Sequence, residues 1–120
     1  MADITVEKFA DFAVFRVTGI LAFDELADTI REVYPQLTGH ILWDLTSASL
    51  GDITQEQFNI LPGIVKESMA ERVGSKNAYV SPHDRDYDLL RMYEMITRFK
   101  CMPYESSVYR NIDDALNWLR

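Results

Sequence analysis

The order of strand-like and helix-like segments constrains the fold of this chain more than any other feature. Residues 4–9 (ITVEKF) and 12–18 (FAVFRVT) are rich in β-branched and aromatic residues, and only two residues separate them. Two such runs so close together predict a β-hairpin. After the hairpin, helix-like and strand-like segments alternate to the end of the chain, which is typical of parallel strands joined by helices.

The segments after the hairpin predict three further strands and four helices. Short apolar runs predict the strands, at 40–45, 77–81 and 107–110. Apolar residues at steps of three and four predict the helices, at 23–37, from Thr54 onward, between Pro82 and Lys100, and at 111–119. We therefore expect an α/β fold with a single mixed sheet of about five strands, which begins with a β-hairpin and is mainly parallel after it, and about four helices.

Capping residues, proline and glycine predict where these elements begin and end. Gly19 is expected to end the second strand, and Thr54 with Gln57 has the form of a capping box at the start of the second helix. Pro62, followed by Gly63, predicts a kink or a break in that helix, because proline lacks the amide donor and collides with the preceding turn. The caps expected for the last two helices are Asp84 or Asp86, and Asn111 or Asp113.

Two of the predicted helices carry apolar stripes that we expect to face the sheet. The stripe of the second helix consists of Phe58, Leu61, Val65, Met69 and Val73. The stripe of the third helix consists of Leu89, Met92, Tyr93, Ile96 and Phe99. Because thioether and aromatic side chains also line adaptable cavities, five residues are candidates for an apolar pocket, with core filling as the alternative: Phe58, Met69, Met92, Tyr93 and Met95.

Length, composition and charge limit the class of protein. A chain of 120 residues, 48% hydrophobic and 26% charged, suits one domain, residues 1–120, with its own core. The net charge of −7 repels phosphate backbones, so we do not expect a nucleic-acid partner. No apolar run reaches the length of a membrane span, and the N-terminus lacks the features of a signal peptide. The single Cys101 suits a reducing compartment, so we expect a cytoplasmic protein without integral membrane association.

Polar residues near the end of the predicted third strand are candidates for the rim of a ligand or partner site. Asp44, Ser47, Ser49 and Asp52 lie at or beyond the carboxyl end of that strand, where open α/β sheets bind their ligands. The alternative is a polar loop whose side chains bond their own backbone. The sequence leaves both interpretations open.

Thr54 and Glu56 begin the helix that follows this rim. A phosphate on Thr54 would meet the free amides and the positive end of the dipole at a helix N-terminus, and the alternative is a helix cap alone. Glu56 adds an acidic side chain on the first turn. We include it with Asp52 in a candidate contact surface.

Residues 81–85 (SPHDR) bring together residue types found in hydrolase sites, but their pattern argues against catalysis. The Gly-x-Ser-x-Gly turn of hydrolases is missing, and residues adjacent in sequence rarely form the geometry of a triad. We interpret His83 as a solvated loop residue, with a surface contact or a pH-dependent role as alternatives. Arg91 either projects into a pocket to meet an anion or pairs with a nearby carboxylate on the surface.

We predict no catalytic residue, no metal site and no cofactor. The two His residues and the one Cys are far apart in the sequence, without the spacing of zinc ligands. The five Gly residues form none of the patterns that bind phosphate.

Several strings of the chain resemble the SpoIIAA-like branch of the STAS superfamily, which has also been compared with CRAL-TRIO lipid-transfer domains. They are Lys76–Val80 (KNAYV), residues 86–94 (DYDLLRMYE) and residues 108–119 (VYRNIDDALNWL), with weaker matches at 18–19 and 43–45. The resemblance implies a STAS-like fold and a non-enzymatic role. The phosphorylated Asp-Ser-Ser-Gly turn of the superfamily's anti-sigma antagonists is replaced here by residues 52–55 (DITQ), which argues against a phosphorylation switch.

Two functions are compatible with these observations. The first is a STAS-like regulatory or protein-interaction module with a contact surface around 46–54 and the following helix. The second is a carrier or sensor of a small apolar, lipid-like ligand held between the sheet and the helices. A homodimer through an edge strand or a helix face is a further candidate, for which the sequence selects no surface.

Overall fold

The computed structural model of the protein describes residues 2–69 and 74–120. Its elements are β1 (Asp3–Lys8), β2 (Phe12–Ile20), α1 (Phe23–Val33), a 3-10 turn (Tyr34–Gln36), β3 (His40–Ser49), α2 (Gln55–Ser68), β4 (Lys76–Val80), α3 (Asp84–Phe99), β5 (Glu105–Tyr109) and α4 (Ile112–Leu119). In this part of the chain the five strands form one sheet in the order β1-β2-β3-β4-β5. β1 is antiparallel to β2, and the other neighbouring strands are parallel. The expected α/β fold with a single mixed sheet is confirmed.

The order of the strands explains where the helices lie. Each crossover from β2 to β5 steps in the same direction, and right-handed crossovers then place α1, α2 and α3 on the same face of the sheet. The larger core fills that face, where the rings of Phe15 and Trp43 stack with centroids 4.4 Å apart. α4 covers the other face, and its Ala115 packs in a smaller core with Leu42 and Val80.

A close approach between the hairpin and the start of β3 requires glycine. The amide of His40 donates to the carbonyl oxygen of Asp11 over 3.0 Å. A Cβ atom on Gly39 would lie 2.3 Å from that same oxygen. A side chain at position 39 would therefore separate β3 from the hairpin.

Three strands, β2, β3 and β5, differ most from their predicted bounds. β5 begins two residues early, at Glu105 rather than at 107, and ends at Tyr109. β3 does not end at 45 but continues to Ser49, and the prediction that Gly19 ends β2 is wrong, because Gly19 pairs with Ala48 inside the ladder. The register changes between Arg16, which pairs with Asp44, and Thr18, which pairs with Ser47. An extra residue in β3 forms a bulge there, and the ladder continues beyond the apolar run.

The helices differ from the predictions in three places. α1 ends at Val33 and continues as the 3-10 turn, instead of reaching 37. α2 is not broken at Pro62, because proline removes only the hydrogen bond to the carbonyl of Phe58, and buried side chains hold both halves of the helix against the core. α3 is capped at His83 rather than at Asp84 or Asp86, whereas Asn111 caps α4 as expected.

The face of α3 that points to the sheet also differs from the prediction. Its buried residues are Asp86, Leu90, Tyr93, Glu94 and Thr97. Phe99, which was predicted to face inward, is 90% exposed, and Met92 and Ile96 are half-buried. The helix is rotated so that Leu89, Met92 and Ile96 pack against the edge of the core and Phe99 lies outside it. Of the stripe predicted for α2, Val73 lies outside the described residues.

Candidate functional site

The loop between β3 and α2, residues 50–54, is held by the first turn of α3. The amide of Leu50 donates to Oδ2 of Asp86 over 3.3 Å, and Asp86 is buried. Nη2 of Arg85 donates to the carbonyl oxygen of Gly51 over 3.2 Å. Residues far apart in the sequence therefore set the position of this loop.

His83 lies on the surface beside the same edge of the sheet. Its Nε2 is 3.0 Å from the carbonyl oxygen of Thr46, and its own amide donates to Oγ of Ser81 over 3.3 Å. The ring nitrogen therefore lies within hydrogen-bond distance of a backbone oxygen. His83 is exposed, as expected for a solvated residue, and its ring contacts the chain's own backbone, so a role in binding stays a prediction.

The four predicted rim residues do not form one cluster. Oδ1 of Asp44 accepts from the amide of Thr46 over 3.1 Å and from its hydroxyl over 2.6 Å. Asp44 also lies beside Ile112 of α4, on the face of the sheet opposite α1–α3. Oγ of Ser49 accepts from the amide of Gly51 over 3.3 Å. Asp44 and Ser49 thus bond their local backbone, while Ser47 and Asp52 are exposed.

Thr54 caps α2 through the predicted capping box. Its Oγ1 accepts from the amide of Gln57 over 3.1 Å, and Oε1 of Gln57 accepts from the amide of Thr54 over 3.0 Å. Asp52 and Glu56 project into solvent on either side of the cap. The loop and the first turn of α2 therefore present two solvent-exposed carboxylates.

A wide surface groove lies between α2 and α3. This α2–α3 groove has a volume of about 600 Å³ and is lined by Asn59 of α2 and by residues of α3 that include Arg91, Met92, Met95, Ile96 and Phe99. Met95 is 63% exposed, and Ile60 on the outer face of α2 is 54% exposed. The apolar spacing of α3 did not predict that Met95 and Phe99 are exposed.

Charged side chains lie at the edges of the α2–α3 groove. Nζ of Lys100 donates to the carbonyl oxygen of Asn59 over 2.8 Å and joins the end of α3 to α2. Arg91 is exposed and forms no ion pair within residues 2–69 and 74–120. The salt bridge with a nearby carboxylate, one of the two alternatives for Arg91, is therefore not formed within these residues. Its guanidinium is available to a partner.

The five candidates for an apolar pocket are divided among three places. Phe58 and Tyr93 line a cavity of about 30 Å³ inside the larger core, and Met69 is buried elsewhere in that core. Met92 and Met95 line the α2–α3 groove. Pockets for drug-sized ligands have volumes of about 300–1,000 Å³. The cavity beside Phe58 and Tyr93 is thus far too small for a lipid-like molecule.

Burial perturbs the titration of one residue at this cavity. The pKa of the Tyr93 hydroxyl is raised well above its ordinary value of 10.0, mainly by burial and further by the neighbouring Tyr79 and Tyr104. The Tyr93 and Tyr104 hydroxyl oxygens are 3.3 Å apart. Tyr93 therefore remains neutral at all physiological pH values.

Neither a metal cluster nor a membrane-spanning helix is found in the described residues. No group of three or more His, Cys, Asp or Glu side chains among them is arranged to hold a metal ion. None of the helices in the same ranges is both long enough and apolar enough to cross a membrane.

Comparison with known proteins gives matches at the level of structure alone. No family model and no curated protein matches the chain. An anti-sigma factor antagonist from Mycobacterium paratuberculosis has a TM-score of 0.62 at 20% sequence identity, covering 100% of this chain and 95% of that one. An uncharacterized protein with a SpoIIAA-like fold from Shewanella loihica PV-4 has a TM-score of 0.59 at 16% identity, covering 99% of this chain and 94% of that one.

These similarities identify the fold. The mixed sheet with its initial antiparallel pair, and the match over nearly the full length of both neighbours, give this chain the SpoIIAA-like fold of STAS domains. The resemblance seen in the sequence is confirmed at that level.

Proposed function

We propose that the protein is a non-catalytic interaction module that binds another protein through the 50–54 loop and the α2–α3 groove. The observation that carries this proposal is the exposure of two large apolar side chains, Met95 and Phe99, on the outer side of α3. Phe99 is 90% exposed and Met95 is 63% exposed on the same side of the helix. Large apolar residues clustered on a surface are typical of binding sites.

The energetics of hydration favour a partner at this groove. Burying the side chain of a Phe or a Met contributes about 1.5–3 kcal/mol relative to leaving it in water. Phe99 and Met95 line the groove and are the two most exposed large apolar side chains in the described chain, so they offer a partner the largest gain on burial. Methionine adds adaptability, because its flexible thioether fits surfaces of different shapes.

Charges around the surface would orient the partner. Asp52 and Glu56 lie at the loop end of the surface, and Arg91 lies in the groove. A complementary partner carries basic residues opposite the loop and an acidic residue opposite Arg91. Such complementarity increases the association rate and the specificity more than the affinity.

Two further observations support a binding role over catalysis. The His83 imidazole ring contacts the backbone oxygen of Thr46, whereas the base of a catalytic triad would contact a nucleophile and a carboxylate. One structural neighbour is an anti-sigma factor antagonist, whose name describes an action on another protein.

Affinity capture from cell lysate with three variants as bait tests this proposal. The double variants Met95→Glu/Phe99→Glu and Asp52→Lys/Glu56→Lys change the two ends of the surface. Phe9→Glu is the matched control, because Phe9 is 47% exposed and lies at the hairpin turn, away from the groove. We expect both double variants to lose partners that the wild-type chain and Phe9→Glu retain. Identical partner lists for all four baits would exclude the surface.

A further inference from the structure

One side of the β5 backbone pairs with no other strand among residues 2–69 and 74–120. In the described part of the chain the sheet ends at β5. The amide of Glu105 donates to Ser75, and the carbonyl of Tyr109 accepts from Ser81, so these two strand residues face β4. Residues alternate in a parallel ladder, and the N–H and C=O groups of Ser106 and Val108 therefore point away from the sheet.

This edge is less protected than the other one. Natural sheets protect their edges with charged residues, proline or covering segments. β1, the opposite edge, carries Asp3, Glu7 and Lys8, whereas Glu105–Tyr109 (ESSVY) has one charged residue and no proline. A cleft of about 350 Å³ runs along β5 between the end of α3 and Trp118 of α4.

We infer that β5 pairs with β5 of a second copy of the chain, in antiparallel orientation around a two-fold axis at Ser107. In this register Ser106 faces Val108 of the second copy, and Val108 faces its Ser106. Each strand contributes two donors and two acceptors, and all of them are satisfied by four hydrogen bonds. β5 can thus pair with an identical copy of itself, as an interface around a two-fold axis requires.

The side chains fit the same arrangement. Ser107 lies opposite itself in a pair without backbone hydrogen bonds, where the Cα atoms approach to about 4.5 Å and small side chains are favoured. Glu105 lies opposite Tyr109 of the second copy, so no like charges face each other across the axis. The cleft leaves space beside Ser107 for the second strand.

This interface goes beyond the proposed function and does not depend on it. Arg98 of α3 and Cys101, two residues beyond its end, line the cleft beside β5, whereas Met95 and Phe99 line the α2–α3 groove. A dimer through β5 therefore leaves both grooves open to partners. The resulting dimer has one continuous sheet and carries two copies of the surface formed by the 50–54 loop and the α2–α3 groove.

Light scattering coupled to size-exclusion chromatography tests the dimer. The wild-type chain is expected to have twice the monomer mass of 13.9 kDa at high concentration. Ser107→Lys and Ser107→Glu each place like charges opposite themselves, and each should weaken the dimer at least about tenfold. An equimolar mixture of the two variants pairs opposite charges and should recover the dimer. The same substitutions at Thr18, exposed on β2, should have no effect.

A cross-linking experiment keeps the inference testable if a charge at Ser107 disturbs folding. In a Cys101→Ser background, Ser107→Cys brings two thiols together across the axis at a distance that suits a disulfide. Diamide should link this variant into covalent dimers and leave Thr18→Cys monomeric. A wild-type chain that is monomeric at every concentration, or a Ser107→Cys variant that does not cross-link, would overturn the inference.

Discussion

At the scale of single residues, Asp86 determines where the 50–54 loop lies. Its carboxylate is 5% exposed and accepts the amide of Leu50, which is itself buried. A buried donor that loses its acceptor costs about 1–3 kcal/mol. We expect Asp86→Ala to reduce the free energy of unfolding in urea by that amount.

Asparagine provides the control at this position. Asp86→Asn keeps an oxygen acceptor for the Leu50 amide, so its unfolding free energy should lie closer to that of the wild type. Hydrogen exchange at the Leu50 amide should increase in Asp86→Ala and remain slow in Asp86→Asn. Equal stability of the two variants would show that the hydrogen bond does not position the loop.

Tyr93 makes the free energy of unfolding depend on pH in the alkaline range. Burial raises the pKa of its hydroxyl well above 10.0 in the folded chain. Above about pH 10 the unfolded chain ionises this group while the folded chain keeps it neutral. The unfolded chain then binds fewer protons, so the free energy of unfolding falls as the pH rises.

The variant Tyr93→Phe removes this contribution. Its unfolding free energy should fall less steeply than that of the wild type between about pH 9.5 and 11, as measured by urea unfolding at a series of pH values. Parallel pH profiles for the two proteins would contradict a neutral, buried hydroxyl at position 93.

Local residue chemistry could be predicted from the sequence, and distant contacts could not. The caps at Thr54 and Asn111 follow from side chains three residues from their targets. The bond between Asp86 and Leu50 joins residues 36 positions apart, and no local pattern signals it. The position of the 50–54 loop beside α3 could therefore be seen only in the structure.

At the scale of elements, the existence of α3 was predictable but its rotation was not. Apolar spacing identified the helix, yet Glu94 and Thr97 occupy buried positions while Phe99 lies in solvent. Oγ1 of Thr97 bonds the carbonyl of Glu94 within the helix, which satisfies a buried hydroxyl. Hydrophobicity alone cannot identify polar residues whose burial depends on such bonds.

The capping box contributes measurably to α2. Thr54→Ala removes the acceptor for the amide of Gln57 and should lower the unfolding free energy by about 0.5–2 kcal/mol. Thr54→Ser keeps the acceptor and serves as the control. Urea unfolding of both variants checks this, and the account of α2 fails if Thr54→Ala is as stable as the wild type.

At the scale of the whole molecule, topology was the most predictable property. A hairpin followed by right-handed crossovers leads to a mixed sheet with helices on its faces. The length of β3 was not predictable, because its bulge follows from pairing with β2 between Arg16 and Thr18. That extension carries the chain to the 50–54 loop, next to α3.

The surface formed by the 50–54 loop and the α2–α3 groove is where we propose that this protein binds its partner. Hydrogen–deuterium exchange of the chain alone and with its captured protein partner tests it most directly. We expect new protection in peptides covering residues 50–60 and 91–100 and unchanged exchange in the peptide covering α4. Protection confined to the α4 face, with no change in those two segments, would contradict the claim.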